Sequence, residues 1–233
     1  MKISLITVVR NGSDTIADTL SSVVSQTWKD IEHIIIDGDS NDNTLEIVSK
    51  FPHVSKVVSE KDEGLYFAMN KGLKLCTGDI IGILNADDVY ASIDVIEKVI
   101  HSFLNSNADV VYGNLVYVSR NDLNKVIRLW NAGQLKLNSF YWGWSPPHPT
   151  FFVKRKIYEQ YGDFDTRFKI ASDYELMLRF LLKYKIKAFY IDYLIVKMRT
   201  GGISSRSLKL RLIANREDKR AWQVTELNLT YLP

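Results

Sequence analysis

Two adjacent carboxylates follow an apolar run in the stretch IGILNADDVY, residues 81–90. Burial of Asp87 and Asp88 together in a packed core is unfavourable, because neighbouring negative charges repel each other. A strand buried on both faces delivers its last residues to the carboxyl edge of a sheet, where open α/β sheets bind ligands. The pair is therefore a candidate for holding a ligand or a cation. The alternative is a turn, or a cap for the helix suggested by DVYASIDVIEKVI, since Asp is common in both places.

Polar residues at two further strand ends favour the ligand interpretation. The first predicted strand, residues 3–9, is followed by Arg10, Asn11 and Gly12, and the second, residues 31–37, ends at Asp37. In a doubly wound sheet these ends share one crevice. A polar tip on each of three strands predicts a binding site there.

The elements that position these tips are predicted from the alternation of apolar runs and helical patterns. Strands at 3–9, 31–37, 54–60 and 79–85 with helices between them predict an α/β fold with a doubly wound, mostly parallel sheet and helices on both faces. Beyond about residue 108 the pattern becomes mixed α+β. We expect a single domain over residues 1–233 with a ligand-binding half (1–108), a second half (109–205) and a basic C-terminal helical segment (206–233).

Composition excludes several classes of protein. Lys and Arg exceed Asp and Glu by only 30 − 27 = 3, which is too little to indicate nucleic-acid binding. The single cysteine, Cys76, rules out an intrachain disulfide and a zinc cluster of cysteines, and fits a reducing compartment. The start MKISLITVV does not resemble a secretory signal, and no apolar run is long enough to span a membrane. We therefore expect a cytoplasmic location. Nothing in the sequence indicates an oligomeric state.

Five blocks of sequence carry a resemblance to a known family: ITVVRNG, IIIDGDSNDNTLEI, SEKDEGLYFAMNKGLKLCTGDIIGILNADD, HPTFFVKR and GDFDTRFKIASDYELMLR. In this order they resemble the family-two inverting glycosyltransferases of the bacterial surface-polysaccharide type, which have the GT-A fold. The resemblance extends from residue 3 to about residue 205. It implies transfer of a hexosyl or N-acetylhexosaminyl group from a nucleotide-diphosphate sugar, a UDP-sugar by preference, with Mn²⁺ or Mg²⁺ as cofactor. The acceptor implied is a hydroxyl of a saccharide or of a lipid-linked saccharide.

The resemblance also implies roles for residues of the first half. By position, Asp88 is the metal ligand, Asp87 contacts the ribose and Asp37 reads the base by accepting a hydrogen bond from an imide N–H. Two further positions, Thr7 and Asn11, line the base pocket. The motif here reads Asn-Ala-Asp-Asp, so we expect a metal site rich in water.

Three further positions complete the site that the resemblance implies. Lys71 holds the donor diphosphate, although the family usually has Lys or Arg where this chain has Glu63. Asp173 matches the catalytic carboxylate that takes the proton of the acceptor hydroxyl. His148, in SPPHPTFF, contacts the donor diphosphate or the acceptor. Each has a plain structural alternative, namely a solvated lysine, a helix cap and a structural histidine.

The rest of the second half predicts how the acceptor and the solvent are handled. Tyr141, Trp142 and Trp144 offer faces for stacking an acceptor sugar, and the glycines 201–202 predict a mobile loop that closes over the donor. The basic helical pattern in SLKLRLIANREDKRAWQ suits peripheral contact with the inner face of the plasma membrane, and it equally suits a solvated helix packed on its own domain.

Two other functions remain as alternatives. A nucleotidyltransferase on a similar sheet would need a longer basic glycine loop than VRNGSD after the first strand. A non-catalytic nucleotide-sugar-binding module would keep the pocket and lose the base, which the presence of Asp173 disfavours.

Overall fold

The structure is a computed structural model that describes residues 1–201 and 208–227. The strands are β1 (Ile3–Val9), β2 (Ile31–Asp37), β3 (Val54–Ser59), β4 (Ile80–Ile83), β5 (Val89–Tyr90), β6 (Val110–Ser119), β7 (Asp122–Trp130), β8 (Phe152–Lys154) and β9 (Ala188–Arg199). The α-helices are α1 (Ile16–Val24), α2 (Thr44–Ser49), α3 (Leu65–Leu75), α4 (Val95–Asn105), α5 (Arg155–Tyr161), α6 (Ser172–Met177) and α7 (Leu208–Val224). None of the helices within these ranges is long and apolar enough to cross a membrane.

One sheet of nine strands runs through the described residues in the order β3-β2-β1-β4-β8-β6-β9-β5, with β7 beside β6. The first four strands of this order are parallel to one another. β8 runs antiparallel to both β4 and β6, which returns β6 and the parallel β9 to the direction of the first four. The prediction of an α/β fold with a mostly parallel sheet is therefore confirmed, and β5, β7 and β8 are the antiparallel strands.

The apolar runs form these elements because both sides of the sheet are covered. Every residue of β1 is buried, as expected for a central parallel strand. In α4 the buried positions Val95, Ile96, Val99 and Ile100 recur at the helical period, so one face of the helix covers the sheet. Burial of each such side chain contributes about 1.5–3 kcal/mol.

A glycine sets the distance between α3 and β1. A Cβ on Gly72 would lie 2.6 Å from Cγ2 of Ile6, closer than packed atoms approach. The helix can therefore lie directly on the central strand only because this position has no side chain. Its first turn thereby comes close to the carboxyl ends of the strands.

The helix suggested by DVYASIDVIEKVI does not begin at Asp88. Val89 and Tyr90 instead form the short strand β5, which pairs with Val196 and Lys197 of β9, and α4 begins at Val95. A β-branched and an aromatic residue favour this pairing once a partner strand is available. The carboxylate pair is thus fixed between two strands.

The stretch SDYELMLRFLLKY forms a helix that changes its winding part-way. α6 ends at Met177 and continues as a π-helix over Leu178–Lys183. The predicted mobile loop with Gly202 lies outside the described residues, apart from Gly201 at its edge.

Candidate functional site

A cavity of about 600 Å³ opens at the carboxyl ends of β1 and β4. The first half contributes the turn 10–12 after β1, Gly38 after β2 and the turn 85–87 after β4. The second half contributes His148, Asp173 and residues of the β6–β7 hairpin. The polar ends of β1 and β4 therefore meet at one crevice, as predicted, and Asp87 is part of it. Asp37 at the end of β2 is not among the lining residues, and β2 contributes only Gly38.

The two adjacent carboxylates lie in different environments. The side chain of Asp87 lines the cavity and is 31% exposed, with Nη1 of Arg120 at 3.8 Å from its Oδ2. Asp88 is 1% exposed, and its carboxylate accepts hydrogen bonds from the backbone N–H of Arg199 at 3.2 Å and from Nδ2 of Asn85 at 2.9 Å. The cavity-facing carboxylate is therefore Asp87, whereas the sequence prediction gave the ligand role to Asp88. The reason is that Asp88 leads into β5 and faces the end of β9.

Burial changes the acidity of this inner carboxyl group. Removal from solvent, with the nearby negative charge of Asp87, raises the pKa of Asp88 to about 8. Both oxygens of Asp88 accept hydrogen bonds, so its carboxyl group joins the turn to the end of β9.

The turn 85–88 is held in place by side chains from distant elements. Thr15 and Thr19 of the α1 region donate to the backbone carbonyls of Ala86 at 3.0 Å and Asp88 at 2.8 Å. Nη1 of Arg199 donates to the carbonyl of Asp87 at 2.8 Å, and its other nitrogens donate to the Arg120 carbonyl and to Asp18. Arg199 is not recognisable as a structural residue from the sequence, because nothing local to β9 indicates what lies across from it.

On the opposite side of the cavity, Asp173 lies in the first turn of α6 between two polar side chains. Its Oδ2 lies 3.1 Å from Nδ1 of His148, and its Oδ1 lies 3.1 Å from the hydroxyl of Tyr66, which also donates to the carbonyl of Ile170. Burial, together with the charge of Asp173, raises the pKa of Tyr66 well above its usual range, so this hydroxyl stays protonated. The structure thus brings His148 and Asp173 together, and adds Tyr66.

At the end of β2, the carboxylate of Asp37 lies just behind the cavity wall. It is fully buried and accepts hydrogen bonds from the backbone N–H of Ser40 at 3.0 Å, from the Ser40 hydroxyl, and from the Ser59 hydroxyl at 2.7 Å. A carboxylate offers about four acceptor positions, so about one remains. Gly38, the next residue, forms the wall itself.

Asn11 lines the cavity, and Thr7 does not. Asn11 has a φ of 52°, a region that Asn tolerates better than most residues, and its Oδ1 accepts the backbone N–H of Asn41 at 2.9 Å. Thr7 is fully buried, and its hydroxyl lies 3.0 Å from Nε2 of His33. The prediction that Thr7 lines the base pocket is not supported by this placement, because its position in β1 turns it to the side of the sheet that carries His33.

Lys71 likewise lies away from the central cavity. Its ammonium forms ion pairs with Glu60 at 2.5 Å and with Asp62 at 2.7 Å, beside a shallow depression on the outside of α3. Two carboxylates thus already neutralise the cation predicted to hold a diphosphate. Asp62 itself lines the central cavity, and its Oδ2 is buried without a hydrogen-bond partner among the described residues.

The family is decided by a match that covers more than half of the chain. The family model for glycosyl transferase family 2 matches residues 4–162. The chain belongs to glycosyl transferase family 2.

Relatives of this glycosyltransferase come from several bacteria. An uncharacterised glycosyltransferase of Mycobacterium tuberculosis is 31% identical over 180 residues, which is 76% of this chain and 68% of that protein. The Escherichia coli protein named UDP-Glc:alpha-D-GlcNAc-diphosphoundecaprenol beta-1,3-glucosyltransferase WfgD is 27% identical over 236 residues, 95% of this chain and 84% of that protein.

Solved structures show the same fold. S. aureus TarS in complex with UDP-GlcNAc superposes with a TM-score of 0.69 at 18% identity, covering 97% of this chain and 70% of that chain. The mannosyltransferase PcManGT from Pyrobaculum calidifontis, in complex with GDP-Man and Mn²⁺, gives a TM-score of 0.68 at 17% identity, covering 99% and 70%. The GT-A fold expected from the sequence is confirmed.

The aromatic side chains that face the cavity of this glycosyltransferase are not those expected from the sequence. Tyr117 and Trp130 of the hairpin line the cavity with nearly parallel rings, 7° apart in plane. Trp144 packs against Phe140 and donates its indole N–H to the carbonyl of Ala132. The other two predicted rings also lie elsewhere: Tyr141 contacts Trp222, and Trp142 is 72% exposed.

The oxygen ligands that Asp87 and its neighbour Asn85 offer would fill only part of the coordination shell of a divalent cation. Carboxylate and amide oxygens of Asp87 and Asn85, which both line the cavity, are ligands that Mg²⁺ and Mn²⁺ accept. Within the described ranges, no group of three or more His, Cys, Asp or Glu residues could hold a metal ion without other ligands. A cation here would complete its shell with water and with the phosphates of a bound donor, which is the usual manner of Mg²⁺ in nucleotide sites.

Proposed function

We propose that this glycosyltransferase moves a sugar from a nucleotide-diphosphate sugar to an acceptor hydroxyl in the central cavity. The observation that carries the proposal is that the carboxylates of Asp87 and Asp173 line one cavity from opposite halves of the chain. A transfer reaction needs both, one group beside the leaving diphosphate and one beside the attacking hydroxyl. A mere binding module has no need of the second.

The nucleotide is placed at the turn 10–12 and Gly38, with uridine as the base. Asp37 has about one acceptor position left for an imide N–H, behind the wall that Gly38 forms. WfgD is named for a UDP-sugar and TarS was solved with UDP-GlcNAc, which supports uridine. PcManGT was solved with GDP-Man, so guanine is the competing base to be tested.

Asp87, with Asn85 beside it, is the residue that would hold Mn²⁺ or Mg²⁺. A bound divalent cation would neutralise the charge that grows on the departing diphosphate. Asp88, predicted from the sequence as the metal ligand, holds the turn that carries Asp87. The guanidinium of Arg120, 3.8 Å from the Asp87 carboxylate, adds positive charge to the same end of the cavity.

Asp173 acts as the general base of a single inverting displacement. Its carboxylate takes the proton of the acceptor hydroxyl while the acceptor oxygen bonds to the anomeric carbon, and the bond from that carbon to the diphosphate oxygen breaks. Tyr66 and His148 fix the carboxylate from two sides, which restricts its orientation. One displacement at one carbon inverts its configuration.

The acceptor is a saccharide or a lipid-linked saccharide, and the transferred group is a hexosyl or N-acetylhexosaminyl residue. WfgD is named for an acceptor on diphosphoundecaprenol, which supports a lipid-linked substrate. Tyr117 and Trp130 line the cavity, and we assign to them the contact with the sugar ring of the acceptor. A lipid-linked acceptor would bring the enzyme to the inner face of the plasma membrane.

Replacement of the base tests the proposal. Asp173→Asn keeps the shape of the side chain and removes its basicity, so release of UDP from a UDP-sugar in the presence of acceptor should fall by about 10²- to 10⁴-fold. UDP affinity, measured by calorimetry with Mn²⁺, should stay nearly unchanged. Asp30→Asn is the matched control, since Asp30 is exposed and lies directly before β2, at the amino-terminal ends of the strands and away from the cavity.

Two outcomes would overturn this function. A wild-type protein that binds nucleotide sugars without ever releasing the diphosphate would be a binding module. An Asp173→Asn variant that transfers at the normal rate would place the base elsewhere.

A further inference from the structure

The segment that leads into α6 is held by one carboxylate from α7. Glu217 is buried, and its side chain accepts hydrogen bonds from three consecutive backbone N–H groups. These belong to Lys169 at 2.9 Å, Ile170 at 2.8 Å and Ala171 at 3.0 Å. Successive amides that converge in this way form a concave anion site, and here the chain fills it with its own glutamate.

The same segment connects directly to the proposed base. Lys169 and Ile170 line the cavity, and the carbonyl of Ile170 accepts the hydroxyl of Tyr66, which also contacts Asp173. Asp173 follows Ala171 by two residues. A shift of the three amides would therefore move the base and one of the two side chains that fix it.

A second contact from α7 lies on the other side of the base. The indole N–H of Trp222 donates to the hydroxyl of Tyr174 at 3.0 Å, and Tyr174 is the neighbour of Asp173 in α6. Trp222 is itself 4% exposed, so this contact is buried with the helix. Burial raises the pKa of Asp218, next to Glu217 in the chain, to about 6, and the negative charges of Asp173 and Glu217 contribute to this shift.

We infer that Glu217 is a positioning residue for the transfer reaction, and that α7 is part of the catalytic apparatus. The inference rests on the proposed role of Asp173 as base. The family match ends at residue 162, so it covers neither Asp173 nor Glu217. The carboxylate acts through the three amides and touches no reacting atom. Its loss lets the 169–171 segment relax and moves the base away from the acceptor hydroxyl.

The test is Glu217→Gln, with Glu226→Gln as its matched control. The glutamine side chain has the same size as glutamate, but its NH₂ group faces backbone N–H groups and cannot accept their hydrogen bonds. The turnover number should fall about ten- to hundredfold, as expected for a displacement of about 1 Å, with UDP affinity nearly unchanged. Glu226 lies just past the end of α7 and forms an exposed ion pair with Lys183, so its variant should keep full turnover.

A double-mutant cycle separates positioning from a merely structural role. If Glu217 works through Asp173, Glu217→Gln in an Asp173→Asn background should lower the residual rate little further. Full additivity of the two losses would overturn the inference. So would a lowered melting temperature with normal turnover of the folded variant.

Amide hydrogen exchange distinguishes failure of this inference from failure of the proposed function. Exchange at residues 169–171 should accelerate by on the order of tenfold or more in Glu217→Gln, because these amides lose their acceptor. Unchanged exchange at residues 169–171 would contradict the inference that Glu217 holds these amides, whatever the activity of the variant. A wild-type protein without turnover, combined with faster exchange in the variant, would remove the proposed function and with it the catalytic role of α7.

Discussion

At the scale of single residues, two neighbours of the same type have different environments. Asp87 faces the cavity, whereas Asp88 is enclosed between Asn85 and the backbone of Arg199. A solvent-accessible carboxylate is available to a cation and to phosphates. An enclosed one whose two oxygens both accept hydrogen bonds is suited to holding a turn.

This difference predicts opposite results for two conservative substitutions. Asp87→Asn should reduce turnover by on the order of a hundredfold or more at a fixed Mn²⁺ concentration, because several kcal/mol of charge stabilisation are lost. Its melting temperature should stay near that of the wild type. Asp88→Asn should lower the melting temperature and leave turnover of the folded fraction within a few-fold.

Titration of turnover with Mn²⁺, alongside thermal unfolding, checks this pair. A rise in the Mn²⁺ concentration needed for half-maximal turnover is expected for Asp87→Asn only. If that rise occurs in Asp88→Asn instead, Asp88 is the ligand after all.

At the scale of elements, the amino-terminal edge of the sheet is fastened separately from the site. Glu32 at the start of β2 accepts hydrogen bonds from Ser4 at 2.5 Å, from the backbone N–H of Thr77 at 2.8 Å and from Lys2 at 3.0 Å. Burial opposes ionisation of this carboxyl, but these hydrogen bonds prevail and lower its pKa from 4.5 to about 2. The contacts join β1, β2 and the segment before β4.

Glu32→Gln should therefore reduce stability in a pH-dependent way. At pH 7 the free energy of unfolding should fall by about 2 kcal/mol, the usual scale for hydrogen bonds to a charged group. Because the folded-state pKa is depressed, this contribution is complete above the unfolded pKa of 4.5 and is lost as the pH falls from there toward 2. Urea unfolding at pH 7 and at pH 3.5 measures the change.

The exposed residue Glu46 of α2, paired with Lys50 just past the end of that helix, is the control for this experiment. Glu46→Gln should leave the unfolding free energy nearly unchanged at both pH values. A Glu32→Gln effect of equal size at both would contradict the linkage argument.

The β6–β7 hairpin provides a second element with a testable role. Trp130 lines the cavity beside Tyr117, whereas Trp142 is exposed outside it. Loss of an aromatic ring that stacks on a sugar weakens binding of that sugar. The loss is typically about 0.5–1.5 kcal/mol in addition to the effect of the buried area. Trp130→Ala should raise the KM for acceptor about tenfold and leave UDP affinity unchanged.

Initial rates over a range of acceptor concentrations measure this KM, and Trp142→Ala is the matched control. Equal effects of the two substitutions would show that the hairpin is not the acceptor contact.

At the scale of the whole molecule, the cavity exists only where both halves meet. The turns after β1, β2 and β4 supply one wall, and residues of the hairpin, the His148 region and α6 supply the other. A ligand bound there contacts both halves, so it should stabilise the folded chain as one unit.

The melting temperature should therefore rise with nucleotide and metal together. At a hundredfold excess over its dissociation constant, UDP with Mn²⁺ should add about 2.7 kcal/mol, a shift of several degrees for a chain of this size. Excess chelator should remove most of the shift and abolish turnover. Differential scanning fluorimetry with UDP and with GDP measures both effects.

A larger shift with GDP would refute the uridine assignment. An undiminished shift and full turnover in chelator would refute metal assistance. Because the two readouts are separate, each assignment stands or falls on its own.

The sequence alone determined the first four strands, the helices between them and the edge where the site lies. The strand β1 and the helix α4 follow from local apolar patterns, since burial on both faces or on one helical stripe leaves a period that neighbouring residues reveal. The polar ends of β1 and β4 follow in the same way, because the carboxyl ends of parallel strands meet at one edge.

Tertiary structure alone decided which of these side chains reach the cavity. Asp88 is held inside because the backbone N–H of Arg199, 111 residues further along the chain, donates to its carboxylate. Lys71 is neutralised by Glu60 and Asp62, and Trp130 rather than Trp144 borders the cavity. Side-chain direction at a turn depends on partners from distant strands, and no local period records where those partners will lie.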